Sequence, residues 1–305
     1  MGPTSARVRI GIGGWEHEIL DSVLYGASSL SSEEKLSRYA RSFDATVTRA
    51  TFWDGDLNGA DAAAWVRAVR HNSAFRFVVK LHHSCTHEQK APASIRQNLR
   101  HLMQVLEGEG RLGAVLGQYP FSFTNTSANR FAVIRLAEIF SGFPIHVEFR
   151  HASWHQPSLQ SFFAEHQVRL ASADLPRIRQ FMPFQAPIPG PHTLLRLHGR
   201  NERGWLQNAL DAPYDYLYNA REIIELRRRV ESMIPSTSEV TVIFNNTTNG
   251  SAVANSLQLL SALHGGKAIA VPPPTLTAFP QLRQIVDPSR LEEGLFDSHN
   301  LRTAI

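Results

Sequence analysis

Short apolar runs alternate along this chain with longer stretches in which apolar side chains return every three or four positions. The runs read as strands at Val8–Gly13, Ala45–Thr51, Ala74–Leu81, Leu112–Gln118, Ile145–Phe149, Val168–Ala173, Thr193–His198 and Glu239–Asn245. Between them the spacing predicts helices over Ser32–Phe43, Asp61–Arg70, Ala93–Leu106, Ala128–Phe140, Ser158–His166, Tyr218–Met233 and Ser251–His264. Ser31 followed by Ser32-Glu33-Glu34 has the form of an N-cap with acids in the first turn. Strands alternating with helices over this length predict an α/β protein, a single (β/α)8 TIM-like barrel at residues 1–264. A doubly wound open sheet has the same periodicity and is the competing layout. From Gly265-Gly266 and Pro272-Pro273-Pro274 the composition shifts, and residues 265–305 read as a C-terminal extension of unknown role.

Two strands break the apolar rule. A parallel sheet covered by helices is dry on both faces, so the charges in Ile145-His146-Val147-Glu148-Phe149-Arg150 and Thr193-Leu194-Leu195-Arg196-Leu197-His198 need partners or a task. Side chains alternate along a strand, which puts Glu148 with Arg150, Arg196 with His198, and Lys80 with His82 on shared faces, each pair about 7 Å apart. In a barrel the interior layers draw on alternate strands, and active sites form at the C-terminal strand ends. Lys80, Glu148, Arg150, Arg196 and His198 are therefore expected in one cluster, with Asp174 at the end of strand six beside them. Three fixed cations against two carboxylates leave a positive surplus, which points to a small anionic ligand. Glu148, held ionised by its cations, is the expected base, and His198, titrating nearest neutrality, its proton partner. A structural ion network closing the barrel top is the bland rival reading.

Asn246, ahead of the turn Thr247-Thr248-Asn249-Gly250, is a candidate ligand or anion holder near a helix N-terminus, or a capping residue. Trp15 and Trp154 adjoin strand ends and are candidate pocket walls. His82, His83 and His87 match no closed zinc spacing; no metal ligand is assigned and no cofactor is expected, although a divalent metal held by convergent barrel-top groups is admitted. Gly11-Ile12-Gly13-Gly14-Trp15-Glu16 fails the dinucleotide fingerprint, and no phosphate-cradling loop or nucleophile elbow is present. The Pro-rich stretch from Arg177 to Pro191 is expected to loop over the barrel mouth.

Composition adds limits rather than direction. The 305 residues carry a net charge of +4, with 43% hydrophobic residues, and the pI is about 9.4. Nucleic acid is permitted as a partner but no like-charged block calls for it. No apolar run reaches the roughly 18 to 20 residues of a membrane helix, Met1–Arg9 lacks a signal-peptide core, and the lone Cys85 excludes an internal disulfide, so a cytoplasmic location without membrane partners is expected. Nothing in the chain fixes the oligomeric state.

The run Val147-Glu148-Phe149-Arg150-His151-Ala152-Ser153-Trp154 resembles the YecE-like family, a domain of unknown function. Gly14-Trp15, Thr51-Phe52, Val79-Lys80 with Thr86-His87, Gln118-Tyr119-Pro120, Asp174, Arg196-Leu197-His198-Gly199 and Phe244-Asn245-Asn246 match as well, and the likeness covers roughly Arg9 to Leu263. It implies a strand-helix barrel and supplies no reaction. One departure stands out: at strand two the family's Glu-x-Asn-Ser/Thr-Thr-Phe-Tyr pattern is replaced by Val47-Thr48-Arg49-Ala50-Thr51-Phe52-Trp53, with Thr48 and Ala50 the approximate counterparts of the acid and the Asn. The reading that follows is an enzyme using acid-base chemistry, of hydrolase, lyase or isomerase type, on a small anionic or sugar-like substrate. Glu148, His198 and Asp174 would do the chemistry, and Lys80, His87, Arg150, Trp154, Arg196, Asn246 and Trp15 would bind substrate. Nucleic-acid binding or processing, and a non-catalytic ligand-binding barrel, are the alternatives.

Overall fold

The strands that alternation predicts form one parallel sheet. The computed structural model describes residues 6–185, 190–207 and 212–287. Its strands are β1 (Arg7–Ile12), β2 (Ala45–Thr48), β3 (Arg76–Lys80), β4 (Leu112–Gln118), β5 (Ile145–Glu148), β6 (Arg169–Leu170), β7 (Ser172–Asp174), β8 (Gly190–Leu197) and β9 (Thr237–Phe244). All pairings are parallel, in the order β6-β5-β4-β3-β2-β1-β9-β8-β7. β6 and β7 flank the single residue Ala171, whose amide donates to the Val147 carbonyl at 2.9 Å, so the two ends of the sheet are halves of one broken strand. The ring is thus a barrel of eight staves, which decides against the open sheet.

Helices α1 (Ser32–Ser42), α2 (Gly59–Ala68), α3 (His83–Thr86), α4 (Ala93–Gly108), α5 (Ser127–Ile139), α6 (Pro157–Glu165), α7 (Glu202–Gln207), α8 (Ala220–Met233), α9 (Ser251–Leu263) and α10 (Pro273–Ala278) follow the strands. Ser31 caps α1 in a full capping box with Glu34, and Asn58 and Asn219 do the same for α2 and α8. No helix among the described residues is long and apolar enough to cross a membrane.

Alternation splits the core in two. Outward side chains such as Phe77, Val79, Val147, Leu195 and Leu197 join the helices in one large cluster. Inward ones form a separate, smaller cluster of Ala45, Val47, Val78, Ala114, Leu116, Ala171, Leu194 and Ile243 that plugs the barrel. At this level β1 offers Gly11, where a Cβ would stand 1.7 Å from the Ala45 carbonyl oxygen, so no larger residue fits between the staves. Two residues further along each strand from this plug the interior turns polar, and that is where the site begins.

Several boundaries differ from the periodic reading. Strand two ends at Thr48 rather than Thr51, because the chain turns into a short 3-10 segment over Ala50–Phe52. The Thr51 hydroxyl lies 3.0 Å from that of Thr48 and donates to the Lys80 carbonyl at 2.5 Å, tying this turn to β3. In the extension, Ile269 bridges to Val286, Thr275 donates to the Val23 carbonyl at 2.6 Å, and Ile269, Val271 and Leu282 are buried in the main core. In the Pro-rich loop, Phe181 bridges to His151 and the Met182 amide donates to the Arg150 carbonyl. Residues 186–189 of that loop and 288–305 of the extension lie outside the described residues.

Candidate site at the barrel mouth

The inward positions just above the apolar plug are Arg49, Lys80, Gln118, Glu148, Ala173, Arg196 and Asn245, each two residues beyond an inward residue of the same stave. β1 contributes Gly13, where a Cβ would lie 2.3 Å from Asn245 Oδ1; the missing side chain leaves Asn245 room to turn inward. Above this layer opens a cavity of about 600 Å³, lined by Arg49, Phe52, Lys80, His87, Gln118 and Arg196, with His17, Glu18, Tyr214, Asn245 and the turn Thr247-Thr248-Asn249 at its edge. Trp53, 69% exposed, stands at the rim.

Glu148 is the hub. It has no solvent exposure, and its Oε2 accepts from Arg196 NH1 at 2.7 Å while Oε1 lies 2.8 Å from Arg150 Nε and 3.1 Å from His198 Nε2. Neither Oε1 contact has full hydrogen-bond geometry, and charge attraction dominates the one with Arg150. Burial alone would push the carboxyl's pKa up; Arg196, Arg150 and His198 outweigh it and hold it well below the usual carboxylate range. Asn245 fixes the neighbours: its Oδ1 accepts from Arg196 NH2 at 3.0 Å and its amide nitrogen donates to His198 Nδ1 at 3.1 Å. With Nδ1 accepting, the His198 proton sits on Nε2 facing Glu148. Burial, with Arg150 beside it, presses the His198 pKa down to about 3, so the ring is neutral near neutrality. Arg150 NH1 and Arg196 Nε are buried donors with no hydrogen-bond acceptor among the described residues.

Lys80 differs from these in having no counterion. Its ammonium sits 3.7 Å from the centre of the Phe52 ring and makes no hydrogen bond or ion pair with the described residues. Desolvation, then Arg196, bring its pKa well below that of an ordinary lysine, with Arg150 and Arg49 acting the same way and Glu148 opposing. His87 packs on the same Phe52 ring at 5.1 Å, with Nδ1 2.9 Å from the Thr86 hydroxyl. Burial, and then the charge of Lys80, lower its pKa too.

The structure thus gathers Lys80, His87, Glu148, Arg150, Arg196 and His198 at one mouth. It does not bring Asp174 there. Asp174 pairs in register with Leu197, an outward residue, and so faces the helix layer, where it accepts from Arg200 at 2.8 and 2.9 Å, Arg229 at 2.8 Å and the Tyr218 hydroxyl at 2.9 Å. Asn246 is likewise one residue out of phase. It is fully buried, donating to the Tyr216 carbonyl and to Asn255 Oδ1, and Asn245 takes the inward position. Trp15 and Trp154 are buried in the outer core, Trp15 against Trp65 and Phe77, and Trp154 stacked on Phe149 at 3.9 Å. Neither lines this cavity, though Trp15 borders a smaller adjoining pocket of about 330 Å³ with His17, Arg49 and Trp53. Arg49, Gln118 and Asn245 are inward residues missing from the expected set of site residues, and counting in twos from Val47, Leu116 and Ile243 is the signal that finds them. His82, His83 and His87 are each engaged separately, His82 with Ser84, His83 with Glu88 and His87 with Thr86. Among the described residues no group of three or more His, Cys, Asp or Glu converges to hold a metal.

A closed strand-helix barrel with a charged, cation-rich C-terminal mouth is the class that this fold and site define. Within that class the chain belongs to the family described as "Protein of unknown function DUF72", matched over residues 9–278, the same family as the YecE-like resemblance. It is 26% identical over 275 residues to UPF0759 protein YunF of Bacillus subtilis (strain 168), covering 84% of this chain and 94% of that protein. A DUF72 family protein from Enterococcus faecalis V583 has a crystal structure that superposes with a TM-score of 0.75 at 29% identity, over 84% of this chain and 95% of that one. Another from Thermotoga maritima MSB8 gives 0.73 at 28% identity, over 85% and 99%.

Proposed function

We propose that this barrel is an enzyme that binds a small anionic substrate in its mouth and works on it by proton transfer. The observation that carries the reading is the charge balance of the cavity: the arginines Arg49, Arg150 and Arg196 outnumber the carboxylates, since Glu18 stands at the rim and Glu148 is committed to Arg150 and Arg196. Two buried arginine donors without acceptors add to the same account, since an unmade hydrogen bond on a buried guanidinium is costly and an oxyanion would complete it. A phosphate or carboxylate fits the fork geometry of arginine better than an uncharged sugar does.

The roles follow from accessibility. Glu148 is sealed off and saturated with cations, so its part is to hold Arg150 and Arg196 in position rather than to take a proton from substrate. The same enclosure gives His198 a positioning role, with its proton directed at Glu148. Proton transfer falls to groups open to the cavity with pKa values drawn down from their ordinary range, Lys80 and His87. Calorimetric titration with inorganic phosphate and with pyruvate at low salt tests the binding half. Saturable binding is expected, weakened roughly tenfold in Arg49→Gln, about the value of one charge-assisted hydrogen bond. Absence of saturable binding to either anion, or unchanged affinity in Arg49→Gln together with Lys80→Met, would refute the placement of the anion.

A further inference from the structure

We propose that Lys80 is a covalent catalyst, its amine forming an imine with the carbonyl carbon of the anionic substrate held in the barrel mouth. This rests on the anion-binding reading above and specifies the substrate class: a small carbonyl compound bearing a carboxylate or phosphate.

Placement comes first. Lys80 is at the C-terminal end of β3, directed inward above Val78, and the half-buried residue lines the cavity through which a substrate would arrive. Arg150 and Arg196 are paired with Glu148, and Arg49 lies 2.7 Å from His17 Nδ1 and faces the cavity as an anion ligand. Lys80 has only the Phe52 face among the described residues, and a ring face attracts a cation more weakly than a carboxylate does. The groups that bear on the amine are Arg49 from the end of β2, Glu148 and Arg150 from β5 and its extension, Arg196 from β8 and His87 after α3. Three arginines oppose one already neutralised carboxylate, which favours the uncharged, nucleophilic amine. A lysine kept only to bind an anion gains from a full charge; this one is placed where charge is disfavoured.

The chemistry balances without any further reagent. The Nζ lone pair attacks the carbonyl carbon as the C=O π pair moves to oxygen; Nζ gives up a proton and the oxygen takes one, leaving a carbinolamine. His87, packed edge-to-face on the same Phe52 ring and lining the same cavity, is the group positioned to carry that proton. The C–O bond then breaks, oxygen leaves as water on receiving a second proton, and the nitrogen lone pair forms the protonated C=N bond. The sum is amine, carbonyl and one proton giving iminium and water. The iminium then draws electrons from the adjacent carbon, which suits bond cleavage or proton removal at that carbon, the lyase and isomerase branches of the three open classes.

The chain has four lysines, Lys35, Lys80, Lys90 and Lys267, which makes the test selective. The intact protein is treated near pH 7 with glyoxylate and cyanoborohydride, and the reduced adducts are located by peptide mass mapping. Each unit by which an amine's pKa lies below that of a surface lysine raises its neutral fraction about tenfold, so Lys80 is expected to label at least about tenfold faster than the exposed Lys90 and Lys267. The preference should shrink toward pH 10, and inorganic phosphate should slow the reaction at Lys80 alone. Lys80→Met, which keeps an apolar stem over Phe52, should lose the fast adduct while Lys90 and Lys267 label as before. Labelling of Lys80 no faster than of Lys90 or Lys267 would overturn the proposal. Propanal serves as the uncharged control. If phosphate binds but neither aldehyde labels Lys80, the anion site stands and covalent catalysis falls. If propanal labels Lys80 and glyoxylate does not, the anion reading on which the proposal rests is overturned.

Discussion

Replacing Glu148 with Gln keeps the shape of the side chain and removes the one negative charge that two buried arginines share. Arg196 can still donate to the amide oxygen, but the amide nitrogen then meets Arg150 Nε and His198 Nε2, donor against donor. At an effective dielectric constant near 20, a unit pair 4 Å apart is worth about 4 kcal/mol, and the desolvation of each ion takes back several. Breaking such a buried pair from one side leaves an uncompensated charge and costs about 3–5 kcal/mol. For a chain somewhat above the 150–250 residue range, where each kcal/mol moves Tm by about 2–4 °C, Tm should fall by roughly 6–20 °C. Thermal unfolding followed by circular dichroism measures this directly. The double variant Glu148→Gln/Arg196→Met discards the stranded charge as well, so it should be more stable than the sum of its single variants by at least about 1 kcal/mol. A Glu148→Gln protein that loses less than about 1 kcal/mol, or a double variant that is strictly additive, would refute the hub role. The pH response has a definite sign. A carboxyl held below its unfolded pKa contributes stability that is complete above about 4.5 and disappears as the pH falls through the folded value, and the variant should lack that component.

Three further outcomes follow. The buried His146, His192 and His198 have folded pKa values below 6.5, about 4 for His146 and about 3 for His198; because unfolding lets them protonate, stability should fall with acidification below about pH 6.5, with close to three protons taken up near pH 5. Proton uptake measured from the pH dependence of urea unfolding checks this, and a value near zero would contradict the buried neutral rings. Asp174→Asn strips the charge that Arg200 and Arg229 share in the outer layer, and a loss of about 2–4 kcal/mol is expected with anion binding at the mouth unchanged; lost binding with full stability would return Asp174 to the site. Gly11→Ala forces a Cβ into the Ala45 backbone oxygen, and at least about 3 kcal/mol of destabilisation is expected by urea unfolding, against none if the staves can separate there.

The sequence by itself determined the barrel and the faces of its staves. Periods of two and of three to four set strand and helix, and the same alternation that sent Val147 and Leu197 outward sent Glu148, Arg150, Arg196 and His198 inward. Phase at the strand ends was less legible. Asp174 and Asn246 are polar residues at stave ends, as a site requires, yet each points into the helix layer, because facing depends on register with the neighbouring stave and one residue reverses it. Asn245 and Arg49 entered the mouth for the same reason. Who pairs with whom was a tertiary decision altogether. Glu148, Arg150, Arg196 and His198 come from two staves nearly fifty positions apart in sequence, and only closure of the ring set their distances. That closure gave Glu148 two arginines and left Lys80 without a carboxylate partner among the described residues, which no local pattern encodes, since charge pairing in a barrel interior depends on the stagger of strands distant in the chain.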